Sequence, residues 1–149
     1  MARLNALYQE LILEHNRAPQ NYRPMENANR RVEGNNPLCG DRFVIWLRME
    51  GDVIADVTFQ GLGCAISMAS ASLMTSAIKG KTRAEAEALF DRFLGMITGS
   101  AEHETAESLG KLAVFSGVAE FPIKVKCASL SWHAMKAALH QPNAVVSTE

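Results

Sequence analysis

The feature that most constrains the fold is a change in hydrophobic periodicity near residue 62. Before it, apolar residues alternate with other residues on both sides of Gly51 and Asp52, a turn-forming pair, which predicts two strands of an antiparallel hairpin between Arg42 and Phe59. Residues 30–33 are expected to supply a third strand, because a lone hairpin is only marginally stable in water. After residue 62, apolar residues recur mainly at helical spacing.

Helical patterns account for most of the remaining chain. A capping box of Thr82 and Glu85 marks one helix start, and Gly80 marks the end of the helix before it. Pro122 is expected to give an extended approach to Cys127, before the last helix begins. The predicted helices cover about residues 4–19, 64–80, 82–97, 109–117 and 128–140.

Strands gathered early and helices gathered late favour one α+β domain over residues 1–149. We expect a three-stranded antiparallel sheet with helices packed on one face. Residues 18–29 contain two prolines and little periodicity, so they are predicted to be irregular. The polar stretch from 98 to 108 is predicted to be a solvated connection, and residues 141–149 a flexible tail.

Charge and hydropathy exclude several classes of partner. Fifteen Lys and Arg residues balance sixteen Asp and Glu residues, so the formal charge is −1 and no broad field attracts nucleic acid or an anionic membrane. The most apolar stretch, from Leu62 to Ile78, is interrupted by serines and is shorter than the roughly 20 residues that span a bilayer. Glu10 and Glu14 argue against a targeting peptide. We therefore expect a cytoplasmic protein with protein or small-ligand partners.

The three cysteines each lie beside a structural break. Cys39 is in NPLCGD, Cys64 follows GLG, and Cys127 stands at the predicted start of the last helix. A helix N-terminus favours the thiolate form, which binds metal and attacks sulfur. Asp41 lies two residues beyond Cys39, on the same side of an extended chain. Three thiolates and one carboxylate form a set that zinc accepts, and thiolates also suit iron-sulfur chemistry.

Each of these signals is also compatible with a structural role. A single cysteine often serves as a small buried hydrophobe, and CGD is an ordinary turn sequence. The three cysteines include no close C-x-x-C pair. Lys124 and Lys126 flank Cys127 and could support a thiolate or persulfide, although charged residues near a helix start are usually solvated. For the four histidines, surface or capping roles are the better interpretation.

Several segments together resemble the U-type iron-sulfur cluster assembly proteins, most closely the SufU branch. These segments are LYQELILEHNRAPQN, NPLCGD, GLGCAISMASASLMTSAIKGKT and LGKLAVFSGVAEFPIKVKCASLSWHAMKAAL. The resemblance implies a SufE/IscU-like α+β fold that gathers the three cysteine loops at one end. It also implies that Cys39, Asp41, Cys64 and Cys127 bind zinc.

The same resemblance implies a zinc-dependent sulfur-transfer protein. Cys39 would accept persulfide sulfur from a SufS-type cysteine desulfurase, one of whose histidines would replace a cysteine at the zinc. Downstream iron-sulfur assembly proteins would receive the sulfur, and Lys124 would hold the acceptor sulfur by charge. IscU-type scaffolds have a histidine where this chain has Lys126. The alternatives are a scaffold that carries a transient iron-sulfur cluster and a purely structural zinc domain.

Overall fold

The computed structural model describes residues 2–37, 40–99, 109–141 and 143–147, with side chains for 10–37, 40–99 and 109–141. None of the helices in these ranges is long and apolar enough to cross a membrane. Residues Gly110–Glu120 form a run of 3₁₀ turns, longer than the predicted helix that ended at 117. The other elements are α1 (Ala2–Arg17), β1 (Arg30–Asn36), β2 (Asp41–Glu50), β3 (Val53–Leu62), α2 (Ala65–Ile78), α3 (Arg83–Ile97), α4 (Pro122–His140) and β4 (Asn143–Ser147).

The predicted three-stranded antiparallel sheet is confirmed. β2 pairs with β1 on one side and with β3 on the other, both antiparallel. The turn at Gly51 and Asp52 joins β2 to β3, and Gly51 has the positive φ of 61° that such turns favour. The two pairings give a continuous surface on which the helices pack.

A fourth strand extends this sheet where the sequence suggested a flexible tail over 141–149. β4 pairs in parallel with β1, with Val32 opposite Ala144, so the order is β3-β2-β1-β4. The segment contains Val145 and Val146, whose branched side chains favour strands. Without β4, β1 would leave an unpaired sheet edge. Pairing along that edge gives the tail a backbone partner that a local sequence pattern does not reveal.

The core lies between one face of the sheet and the helices, as predicted. Alternate residues of β2 are buried, from Phe43 through Ile45 to Leu47, while Arg42 is exposed. Gly34 of β1 lies against α4, where an added Cβ would be 3.3 Å from Cδ1 of Leu130. The close approach of α4 to β1 fixes the height of this helix above the sheet.

Helix α4 begins six residues earlier than the sequence predicted. Pro122 is its first residue, a position where proline is well tolerated because the missing N–H would have no helical partner. The backbone N–H of Val125 already donates to Phe121 O at 3.1 Å. Cys127 therefore lies inside the second turn of α4, and the prediction that it occupies a helix N-terminus is wrong.

The segment between α1 and β1 has no regular helix or strand, yet it is bonded to the rest of the protein. Tyr22 pairs with Phe59 at the edge of β3, with ring centroids 5.1 Å apart. The Tyr22 hydroxyl donates to Gly61 O at 2.7 Å and accepts from Gly61 N–H at 3.2 Å. The segment therefore supports the end of β3 that leads to Cys64.

Candidate metal centre

The strand register brings Asp41 and Cys64 together. Asp41 is the first residue of β2, and the next residue, Arg42, is paired with Leu62 at the end of β3. Cys64 follows two residues later as the N-cap of α2, as its sequence position predicted. An antiparallel pair places the start of one strand beside the end of the next, so these two side chains share one end of the sheet.

Cys127 reaches the same place from α4. Ser70 of α2 donates to the carbonyl of Ala128 at 2.5 Å and accepts a 3.1 Å hydrogen bond from the indole of Trp132. These bonds join the helices that carry the two described cysteines. As a result, ligand atoms of Asp41, Cys64 and Cys127 all lie within 4.8 Å of one another.

Within the described residues, only one oxygen of the Asp41 carboxylate has a hydrogen-bond partner. Asp41 is completely buried, and Oδ1 accepts from the backbone N–H of Cys64 at 2.9 Å. Oδ2 is buried and has no hydrogen-bond partner within the described part of the chain. A buried carboxylate oxygen without a partner is costly, and a cation relieves that cost.

The donor set fits a zinc ion. Zinc binds cysteine sulfur at about 2.3 Å and carboxylate oxygen at about 2.0–2.2 Å, so tetrahedral sulfur ligands lie about 3.8 Å apart. The observed limit of 4.8 Å exceeds this spacing by only about 1 Å. Two thiols and a carboxylate oxygen that has no partner among the described residues therefore supply three ligands of the kind that zinc prefers.

The structure adds Asn36, a buried site residue that the sequence analysis missed. It is paired with Asp41 across β1 and β2, and its Nδ2 donates to Sγ of Cys127 at 3.7 Å. Its backbone carbonyl also accepts from Gly40 N–H at 2.8 Å. The alternation along β1 that buries Val32 and Gly34 also predicts an inward-facing Asn36, and a buried amide indicates a polar partner.

Gly63 is a second site residue found only from the structure. A Cβ at this position would lie 2.3 Å from Oγ of Ser67 and 2.9 Å from Oδ1 of Asp41. Distances this short are not seen for real side chains, so any residue larger than glycine would force the side chains of Ser67 and Asp41 to move. The GLG sequence before Cys64 was the available signal.

The other predicted site residues are Cys39, Lys124 and Lys126. Cys39 lies outside the described residues, between Pro37 and Gly40, so its place as a ligand stays a prediction. Gly40 has a φ of 73°, as a tight turn beside the site requires. Lys124 and Lys126 are half-buried in the first two turns of α4, and their supporting role also stays a prediction.

The histidines of the described ranges lie outside the cluster of Asp41, Cys64 and Cys127. His133 is half-buried with its ring edge-on to Phe90, and His140 pairs with Glu87 at the surface. His15 differs from the surface or capping role expected for it, because it is buried and its ring is hydrogen-bonded to the Ser72 side chain. His103 lies outside the described residues.

Known protein families match the part of the chain that contains Asp41, Cys64 and Cys127. A family model described as the NifU-like N-terminal domain matches residues 7–128. The chain is 42% identical over 135 residues to the zinc-dependent sulfurtransferase SufU of Bacillus subtilis, covering 91% of this chain and 90% of that protein. It is 38% identical over 139 residues to the iron-sulfur cluster assembly scaffold protein IscU of Streptococcus pyogenes, covering 93% and 86% of the two chains.

Solved structures share the fold. The crystal structure of FiSufU from Fervidobacterium islandicum, described as a candidate iron-sulfur cluster assembly scaffold protein for the SUF system, matches with a TM-score of 0.82. The two sequences are 36% identical, and the match covers 87% of this chain and 94% of the other. A NifU-like N-terminal protein from Brucella abortus matches with a TM-score of 0.78 at 20% identity, with 89% and 92% coverage, which shows the fold alone.

Proposed function

Because the chain belongs to the NifU-like N-terminal domain family, we propose that it is a zinc-dependent sulfur-transfer protein of iron-sulfur cluster assembly. The observation that carries this proposal is the buried Asp41 carboxylate, whose Oδ2 has no described partner and whose ligand atom lies within 4.8 Å of two thiols. This arrangement supports a bound cation beside sulfur nucleophiles. The similarity to a zinc-dependent sulfurtransferase over 91% of the chain supports zinc as that cation.

In this proposal Cys39, Asp41, Cys64 and Cys127 form the zinc site. When bound, zinc keeps cysteine sulfur deprotonated at neutral pH. Asp41 is held by the backbone of Cys64 and supplies its other oxygen as a ligand. Cys127 is completely buried, which suits a ligand that stays in place. Cys39 belongs to the segment between the end of β1 at Asn36 and the start of β2 at Asp41, and we propose that this cysteine meets a protein partner.

The sulfur acceptor is Cys39. Its thiolate attacks the outer sulfur of a persulfide on a cysteine desulfurase, a new S–S bond forms, and the S–S bond of the enzyme breaks. The cysteine of the enzyme leaves as a thiolate, while the transferred sulfur keeps its proton. Lys124 and Lys126 stabilise the negative charge of the sulfur species near α4.

The partners are a SufS-like cysteine desulfurase and the iron-sulfur assembly proteins that take the sulfur. The chain has three cysteines, an odd number that cannot all close into disulfides within it, which suits a reducing compartment, and we propose the cytoplasm. The balanced charge of the chain supports protein partners over nucleic acid or a membrane surface.

Desulfurase turnover, measured with and without the zinc-loaded protein, tests the proposal. We expect the protein to raise turnover and the Cys39→Ala variant to abolish that rise. Asp91→Asn, which changes an exposed residue of α3, is the control and should act like the wild type. Full stimulation by Cys39→Ala would remove Cys39 from the acceptor role.

A scaffold function is the second candidate, favoured by the 38% identity to an IscU scaffold protein. Anaerobic reconstitution with iron and sulfide separates the two functions. A stable, stoichiometric cluster that is transferred to an apoprotein would favour the scaffold. We expect no such cluster on the wild type, and we expect Lys126→His to make cluster binding more stable, because it adds an imidazole beside Cys127.

A further inference from the structure

We propose that Asn36 is a positioning residue that keeps Cys127 as a metal ligand and directs sulfur acceptance to the neighbouring loop. This inference rests on the proposed sulfur-transfer function, because it concerns the division of roles among the cysteines. It follows from the hydrogen bond between Asn36 and Cys127 and from the backbone bond that Asn36 makes at the other end of the loop.

The two described thiols have different surroundings. Cys127 is completely buried and its Sγ accepts from Nδ2 of Asn36 at 3.7 Å. Cys64 is only half-buried, at the N-cap of α2. An N–H···S bond withdraws electron density from sulfur, so it favours a stable ligand over an attacking nucleophile.

Asn36 also lies at the base of the loop that carries Cys39. Asn36 is the last residue of β1 and Asp41 is the first of β2, and they are paired. The Asn36 carbonyl accepts from Gly40 N–H at 2.8 Å and closes this loop. One residue therefore fixes the base of the loop through its backbone and holds Cys127 through its side chain.

The chemistry of the Asn36 side chain points to a role at the site. A buried residue at the end of a strand could be apolar, as Val32 of the same strand is. A buried amide carries a desolvation cost that an apolar residue avoids, and it requires polar partners. The sulfur of Cys127 is one such partner, which gives the amide a role at the site.

Asn36→Leu removes the Nδ2 donor to Cys127 while keeping a side chain of similar size. Asn35→Leu is the matched control, because Asn35 is the adjacent residue and faces the other side of β1. Each protein is loaded with Co²⁺, and the sulfur-to-cobalt charge-transfer band is recorded. We expect a shift to lower energy in Asn36→Leu only, because its Cys127 sulfur is more electron-rich. A band that stays at the wild-type position would overturn the proposal.

Zinc affinity gives a second readout without any partner enzyme. Competition with a chelator should show about a tenfold loss in Asn36→Leu, as is typical when a group that supports a ligand is removed. Asn35→Leu should keep the wild-type affinity. Equal affinities for the two variants would count against a role of Asn36 at the metal site.

Inorganic polysulfide then tests the division of roles, with persulfides located by alkylation and mass spectrometry. We expect sulfur on Cys39 in the wild type and a several-fold larger share on Cys127 in Asn36→Leu. Wild-type sulfur on a cysteine other than Cys39 would contradict the proposed acceptor. An unchanged distribution in the variant would contradict only the role of Asn36.

If Asn36→Leu does not fold, the wild type still provides a test. In protein loaded with ¹¹³Cd, a hydrogen bond to a ligating sulfur transmits scalar coupling between the metal and the amide proton. We expect this coupling at the Asn36 side chain. Its absence in protein that gives resolved side-chain amide signals would overturn the proposal.

Discussion

The backbone N–H of Cys64 donates to Oδ1 of Asp41 at 2.9 Å, which points the carboxylate of a strand at the first turn of a helix. The bond fixes Asp41 in one orientation and leaves Oδ2 buried without a described partner. One hydrogen bond thus links the strand and helix that carry two of the donors. Among the described residues nothing compensates this buried oxygen, so we expect folding and metal binding to be coupled at Asp41.

Asp41→Asn should therefore separate stability from metal binding. The amide oxygen still accepts from Cys64, while the amide nitrogen replaces Oδ2 and donates towards the nearby sulfurs. We expect metal-free Asp41→Asn to be more stable than the metal-free wild type by about 1–3 kcal/mol, the cost of an unsatisfied buried group. We expect its zinc affinity to fall by about tenfold or more.

Chemical denaturation of metal-free protein and chelator competition provide the two measurements. Asp91→Asn makes the same exchange at an exposed position of α3 and should change neither value. A metal-free Asp41→Asn protein less stable than the wild type would show that Oδ2 already has a partner.

Gly63→Ala should damage both the fold and the site. The new Cβ would meet Ser67 Oγ at 2.3 Å, Asp41 Oδ1 at 2.9 Å and Phe43 Cζ at 2.9 Å, so the loop or its neighbours must shift. Overpacking of this kind costs about 1–3 kcal/mol. Denaturant unfolding should show this loss, and zinc affinity should fall because Asp41 moves.

The control for this substitution is Gly117→Ala. Gly117 lies in the 3₁₀ run, and a Cβ there would have nothing within 4 Å. We expect its unfolding free energy to stay within about 0.5 kcal/mol of the wild type. Equal effects of the two substitutions would mean that space around Gly63 is not limiting.

The sequence revealed much of this fold because local patterns and tertiary packing agree in most elements. Alternation in β2 and β3, the turn at Gly51, and the capping box at Thr82 each form as predicted. Pro122 was misread because a proline that starts a helix and one that precedes it look alike locally. β4 was missed because its pairing with β1 crosses more than a hundred residues.

For the site, the sequence predicted which residues take part but not that they lie close together. The sequence identified Asp41, Cys64 and Cys127 as candidates because each carries a metal-binding group and lies beside a turn or a predicted helix start. Their closeness depended on the family resemblance, since no spacing along the chain requires it. Asn36 was not found, because a buried amide beside sulfur is identified only once α4 is placed over β1.

Acid should destabilise the protein in part through His15. This residue is 5% exposed, its Nδ1 lies 2.6 Å from Oγ of Ser72, and its burial lowers the pKa of the imidazole below the usual 6.5. Between the lowered pKa of the folded protein and 6.5, the imidazole is therefore protonated in the unfolded chain and neutral in the folded protein. The contribution to stability is complete above about pH 6.5 and is lost as the pH falls through the lower folded-state pKa.

His15→Gln should flatten this acid-side loss while keeping a polar side chain near Ser72. The measurement is the free energy of unfolding from pH 7.5 to pH 5, with zinc in equal excess for both proteins. His133→Gln is the comparison, since burial also lowers the pKa of His133, and it should flatten the profile independently. A His15→Gln profile parallel to the wild type would rule out His15 as a contributor.

Ser70→Ala should weaken the connection between the two cysteine-bearing helices. Ser70 donates to Ala128 O and accepts from Nε1 of Trp132, and both contacts are buried. Its removal leaves a buried indole N–H without its acceptor, at a cost of about 1–3 kcal/mol. We expect a corresponding loss of stability and a change in the fluorescence of Trp132, which is completely buried and stacks on Phe93.

Ser76→Ala is the matched control, because Ser76 lies on the same helix, α2, and is exposed. Its unfolding free energy should change by less than about 0.5 kcal/mol. Because Ala128 follows Cys127 directly, Ser70→Ala should also lower zinc affinity, which chelator competition measures, whereas Ser76→Ala should not. A stable Ser70→Ala protein with wild-type zinc affinity would show that packing alone holds α2 and α4 in register at the metal site.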